Sequence, residues 1–162
     1  MSIEVGHPTP GFTLEDKSGE MVSLEDFAGQ NVILYFFPRA ESPACSKEAA
    51  AFRDVSRKLN KLDTIVVGIS SDDPRTLKKF TKKFKLPFTL LSDPDRKTMA
   101  AYGAFGEKMM YGKSTVGVIR STFWIGPDGR VVKHWKRISK AGDHPPIVFQ
   151  AVAAAAAEAA ED

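Results

Sequence analysis

A single cysteine in 162 residues excludes an internal disulfide and any cysteine-rich zinc site. Thiol chemistry in this chain must therefore involve a second molecule. No apolar run reaches the roughly 18 residues that a membrane helix needs. The start, Met1-Ser2-Ile3-Glu4-Val5, also lacks a basic region followed by an apolar one, so neither a span nor a signal peptide is indicated and the cytoplasm is the expected compartment. Histidine is scarce: His7, His134 and His144 are scattered without metal-ligand spacing, so no metal site and no cofactor is expected.

The length suits one domain over residues 1–162, and 43% hydrophobic residues is ordinary for a globular core. The net charge of +3 is mild, although Lys78, Lys79, Lys82, Lys83 and Lys85 cluster. Their spacing puts them on one side of a helix whose other side is Leu77, Phe80 and Phe84, which reads as a solvated face opposite a core. No aromatic residues interleave with the lysines, so nucleic acid is not an expected partner, while an acidic protein could still dock there.

Phe12 to Asp16 and Met21 to Leu24, separated by Lys17-Ser18-Gly19-Glu20, predict a hairpin. Asn31 to Phe37 is a nearly continuous apolar run, as expected of a strand buried on both faces, and Pro38 closes it. Helical spacing from about Ala44 to Leu59 followed by a second buried strand, Thr64 to Ser70, gives a strand, crossover helix and parallel strand. A helix from Pro74 to Phe84 is capped by Asp72 or Asp73. A short strand over Phe88 to Leu91 and a short helix over Pro94 to Tyr102 follow. Ser121 to Gly126 and Arg130 to Trp135 pair across the turn Pro127-Asp128-Gly129. The alanine-rich tail from Pro145 to Asp162 reads as a helix anchored by Val148 and Phe149 alone, with its acidic end frayed. The pattern is an α/β sandwich.

Cys45 stands where the first buried strand has run out and a helix begins. Pro43 suits the start of that helix and Ser42 its N-cap, which puts Cys45 in the first turn, where unpaired N–H groups and the positive end of the helix dipole favour an anion. A free cysteine is more often a small buried hydrophobe. Here strand, cap and turn together favour a reactive thiol.

Pro38, Ser42 and Cys45 reproduce the Pro-x-x-x-Thr/Ser-x-x-Cys signature of peroxiredoxins. With Tyr35-Phe36-Phe37-Pro38, Ala51-Phe52-Arg53-Asp54 and the downstream Gly117-Val118-Ile119-Arg120-Ser121-Thr122-Phe123, the chain resembles the bacterioferritin comigratory protein subfamily, also called PrxQ, over nearly its whole length. The resemblance implies a thioredoxin-like fold with an N-terminal β-hairpin extension and a central mixed sheet flanked by helices. It also implies a thiol-dependent peroxidase acting on hydrogen peroxide and organic hydroperoxides through a Cys45 sulfenic acid. Arg120 would stabilise the thiolate and hold the peroxide, since a guanidinium stays charged and offers several fixed donors. Ser42 and the Cys45 N–H would donate to the peroxide oxygen as charge develops there. Pro38 would cover the thiolate. Glu48, one helical turn after Cys45, either orients an arginine or only favours the helix N-terminus. Tyr35 and Phe37 are expected in the core or pocket wall.

The sequence departs from the subfamily at the resolving position. Many members carry a second cysteine five residues after the first, where this chain has Ala50, and others carry it near Thr81. A one-cysteine cycle is implied, with reduction by thioredoxin, glutaredoxin, a small thiol or a disulfide between two copies, in a monomer or weak homodimer. The sequence also admits two other functions. Ser42-Pro43-Ala44-Cys45 has the spacing of a thiol-disulfide oxidoreductase motif without its first cysteine, and Cys45 oxidation could serve a redox sensor or holdase-like binding protein.

Overall fold

The structure, a computed structural model, describes residues 3–110 and 112–161. Strands β1 (Thr13–Asp16), β2 (Met21–Ser23), β3 (Asn31–Phe36), β4 (Thr64–Ser70), β5 (Thr89–Ser92), β8 (Ser121–Ile125) and β9 (Val131–Trp135) form one sheet in the order β2-β1-β5-β4-β3-β8-β9. β3 pairs in parallel with β4, and β4 with β5, while β1, β2, β8 and β9 join antiparallel. The N-terminal hairpin is thus the edge of the main sheet, docked through β1 on β5.

The apolar run of β3 is buried on both faces, and alternation divides it between two cores. Ile33, Tyr35 and Phe37 face a core shared with α1 (Pro43–Asn60), α2 (Pro74–Phe84) and α4 (His144–Glu161). Val32, Leu34 and Phe36 face the other, which includes Met99 of α3 (Lys97–Ala101), Tyr102, Phe123 and Ile125. On α1 the buried positions are Cys45, Glu48, Ala49, Phe52, Val55, Ser56 and Leu59. Their spacing of three and four makes one stripe, so Cys45 and Glu48 face inward one turn apart. Asp73 caps α2 by accepting from the Thr76 N–H at 2.7 Å.

Four details depart from the sequence expectations. Residues 105–118 hold a separate two-stranded hairpin, β6 (Phe105–Met110) with β7 (Lys113–Val118), to which the sequence pattern assigns no element. The helix expected from Pro94 is confined to Lys97–Ala101. The Asp93 carboxylate accepts from the Thr98 and Met99 N–H groups, so the residues between form the turn that leads into it. On α4 the buried anchors are Val148 and Val152, one turn apart, with Phe149 only partly buried, so Val148 and Phe149 are not its sole anchors. The helix also runs unbroken to Glu161, because its alanines favour helix more than the terminal acids oppose it, and Asp162 lies outside the described residues.

Candidate active site

The site is built where β3 hands over to α1. Past Phe36 the Phe37 N–H still reaches the Ile69 carbonyl at 3.1 Å, and Pro38, which has no N–H, ends the pairing. Asp72 then pins the loop: its Oδ2 accepts from the Ala40 N–H at 2.7 Å and from the Ser70 hydroxyl at 2.8 Å. Sequence reasoning offers Asp72 only as a helix cap. Glu41 adopts φ 68°, a left-handed conformation that costs a non-glycine residue on the order of 1–3 kcal/mol. Ser42 follows in extended conformation as the N-cap of α1, its Oγ accepting from the Cys45 N–H at 3.3 Å, with Pro43 in the first helical turn.

Cys45 is 1% exposed. The Arg120 Nη2–H donates to its Sγ at 3.1 Å, and Arg120 Nη1 pairs with Glu48 Oε1 at 2.6 Å. Arg120 lies between β7 and β8, and the adjoining backbone is tied on both sides. The Ile119 N–H donates to the Ala104 carbonyl at 2.7 Å, and the Ile138 N–H donates to the Arg120 carbonyl at 3.0 Å. The geometry therefore brings together four of the sequence-derived site residues, Ser42, Cys45, Glu48 and Arg120. Pro38, half-buried, shares a cavity wall with Arg120. For Glu48, between an arginine partner and a mere helix-terminus charge, the observed contact is the arginine pair. The Cys45 N–H, expected to face a peroxide, is engaged by Ser42.

Electrostatics follow burial. Glu48 is sealed from solvent, which pushes its carboxyl up to about 7 although Arg120 opposes the shift, and its Oε2 has no hydrogen-bond partner. Burial works against the Arg120 charge, but Glu48 and Cys45 outweigh it and hold the guanidinium above its ordinary range. Tyr35, placed in the core as expected, is raised by burial and then by the neighbouring charges of Glu48 and Cys45, and its hydroxyl is also unpartnered. His144, one of the scattered histidines, lies close by: it hydrogen-bonds Thr122 Oγ1 at 2.9 Å and is pushed down to about 4 by burial and by Arg120. Its signal in the sequence is weak, because a helix-initiating histidine 99 positions after Cys45 shows no spacing relation to it.

A nucleophilic sulfur under a fixed guanidinium, at a helix N-terminus beside a hydroxyl, can attack an electrophilic oxygen while the cation receives the developing charge. Among the described residues no three of His, Cys, Asp and Glu stand together as metal ligands. A separate apolar cavity of about 400 Å³, walled by Leu24, Phe27, Val32 and Ile125, sits at the start of β3, at the other end of the strand from this chemistry.

Residues 5–134 match the AhpC/TSA family. The chain belongs to that family, the peroxiredoxins. It is 38% identical over 150 residues to peroxiredoxin Bcp of Bacillus subtilis, covering 93% of this chain and 95% of that protein. It is 40% identical over 147 residues to peroxiredoxin Bcp of Escherichia coli, covering 91% and 94%. Among solved structures, the bacterioferritin comigratory protein of Xanthomonas campestris, studied for alkyl peroxide reduction, superposes with a TM-score of 0.82 at 32% identity over 90% of this chain and 92% of that one. PrxQ of Xylella fastidiosa, in a form with one cysteine replaced by serine, superposes with a TM-score of 0.88 at 28% identity over 96% and 99%. The fold is thioredoxin-like, and the peroxiredoxin is a thiol-dependent peroxidase. Among the described residues no helix is long and apolar enough to cross a membrane.

Proposed function

We propose that this peroxidase reduces hydrogen peroxide and organic hydroperoxides at Cys45. The observation that carries the reading is the Arg120 contact with both Cys45 Sγ and Glu48. The sulfur anion attacks the terminal oxygen of ROOH, the O–O bond breaks, and the electron pair leaves on RO⁻, which takes a proton to become an alcohol, or water when R is hydrogen. Cys45 is left as the sulfenic acid. Arg120 holds the anion before the step and the leaving oxygen during it, so its contribution grows toward the transition state. Ser42 Oγ accepts from the Cys45 N–H, and its own proton remains free to donate to the peroxide. Pro38 shields the sulfur from bulk water. Glu48 is a positioning residue: it acts on the peroxide through Arg120.

Residues 1–162 act as one domain in this reading. With no second cysteine, two electrons must come from an external thiol: one thiol condenses with the sulfenic acid, releasing water and forming a mixed disulfide, and a second thiol displaces it. Thioredoxin, glutaredoxin and a small thiol are the candidates. The burial of Cys45 disfavours a disulfide between two intact copies, and a protein reductant requires the first turn of α1 to open. The need for thiols supports a reducing compartment, and the cytoplasm is the one this reading favours.

Peroxide consumption measured with each reductant in turn tests the reading. Sustained turnover with at least one of them is expected, and a single stoichiometric oxidation with all of them would favour a redox sensor.

A further inference from the structure

Two cations that line a cavity beside Arg120 take no part in the chemistry above. The cavity next to Arg120, about 290 Å³, has walls of Pro38, Val118, Ile119 and Ile138, and Lys108 and Arg137 close it. The same Lys108 and Arg137 line an adjoining groove of about 550 Å³ with Glu107, Met109 and Ser114. The shared residues make one path from the hairpin to the catalytic arginine.

Backbone contacts position both residues, and one also reaches the lysine head. The Ile138 N–H donates to the Arg120 carbonyl at 3.0 Å, which seats Arg137 beside the catalytic arginine. Lys108 Nζ donates to the Val118 carbonyl at 2.9 Å. The Lys108 stem lies across Gly117, where an added Cβ would come within 3.1 Å of Cε, so the missing side chain at 117 gives the lysine its course. Arg120 divides its charge between Cys45 and Glu48. Neither Lys108 nor Arg137 makes an ion pair among the described residues, and Glu107, the carboxylate along the groove, is not within ion-pair distance of either. A path with apolar walls and two cations that no carboxylate neutralises among the described residues suits an organic molecule with a negative end.

Resting on the peroxidase reading of Cys45, we propose that Lys108 and Arg137 form an anion subsite that selects organic hydroperoxides bearing a carboxylate over neutral ones. The apolar walls take the organic body, the peroxide reaches Arg120 and Cys45, and the carboxylate meets the two cations. Because both cations border solvent, the discrimination is modest and sensitive to salt.

Cumene hydroperoxide and its para-carboxylate make the test, with Cys45 oxidation of the full chain followed by stopped flow at low ionic strength. The rate constant for the carboxylate is expected to exceed that for the neutral compound by about fivefold, the size of a partly exposed charge interaction. In the Lys108→Met/Arg137→Met variant the ratio falls to about one. Gly117→Ala, which crowds the lysine stem without touching either charge, lowers the ratio part-way, and added salt shrinks it in the parent. A parent ratio near one, an equal slowing of both compounds in the double variant, or an effect confined to re-reduction by thiol overturns the subsite. Failure of the parent to be oxidised by either compound or by hydrogen peroxide is a different result, because it removes the peroxidase reading and the subsite with it.

Discussion

Arg120 Nη1 lies 2.6 Å from Glu48 Oε1, the shortest ion pair among the described residues, with the Arg120 side chain 11% exposed and Glu48 at 0%. An ion pair this deep repays its desolvation only with good geometry, so it is weak evidence of stability. What it does is fix a guanidinium: with one nitrogen on Glu48, the other is left aimed at Cys45 Sγ at 3.1 Å.

Replacing Arg120 with methionine keeps much of the volume and removes the charge. Oxidation of Cys45 by peroxide is expected to slow by more than about tenfold, since the lost hydrogen bonds strengthen as charge moves to the departing oxygen. The fold should persist, because Glu48, already pushed up to about 7, can take a proton and avoid standing as a bare buried charge. Stopped-flow rates equal to the parent's would make Arg120 merely structural.

Glu48→Gln freezes position 48 in a shape close to the protonated acid. Below about 7, where the parent's Glu48 is neutral, the two proteins should oxidise at similar rates. Above it the parent should fall behind, because an ionised carboxylate and a sulfur anion then share one guanidinium. Oxidation rates measured across pH decide this, and two profiles that stay parallel from acid to base would contradict a Glu48 charge that competes with Cys45 for Arg120.

Stability should fall as the solution is acidified from about 6.5 toward about 5. His134 and His144 are both pushed down to about 4 by burial, so the folded protein keeps them neutral while the unfolded chain, titrating near 6.5, takes up protons. Their contribution is complete above about 6.5 and is lost as pH drops toward about 4. Glu48, raised from 4.5 to about 7, has the opposite sign: its contribution is complete below 4.5 and lost as pH rises through about 7. In the shared window the two histidines, each shifted across nearly all of it, act against Glu48 and against Asp93, whose carboxyl is also raised by burial. Urea midpoints should therefore decrease with acid, and less steeply in His144→Gln; midpoints that rise on acidification would refute the assignment.

The parts of the fold legible in the sequence are those where one physical demand dominates. β3 and β4 read correctly because strands buried on both faces must be apolar throughout, and the bounds of α2 follow from its Asp73 cap and Pro74 start. The β6 and β7 hairpin escapes because charges and glycines interrupt its few apolar residues. Met109 and Val116 are 70% and 65% exposed, so no strand-like alternation marks it. Gly106 and Gly117, directly paired across that hairpin, are the available hint of a close approach. At the site, Cys45 and Ser42 can be read locally together with Pro43, since cap, helix start and thiol are neighbours, whereas the site role of Pro38 comes from the family motif. The Arg120 assignment comes from the family motif, because 75 positions separate it from Cys45 and only the folded sheet brings them together. Asp72 and His144 escape for the same reason: each reaches the neighbourhood of the site from a loop or helix distant in sequence.

The most direct test of the account is the fate of Cys45 under peroxide, followed by intact-protein mass spectrometry. One equivalent of hydrogen peroxide should add a single oxygen, located on Cys45 and removed by an added thiol by way of a mixed disulfide, and excess peroxide should add a second oxygen that the thiol does not remove. Cys45→Ser should take up no oxygen at that position and consume no peroxide while keeping its fold. A parent protein that clears peroxide with Cys45 unmodified, or a serine variant that clears it at close to the parent rate, would contradict the assignment of Cys45 as the reacting group.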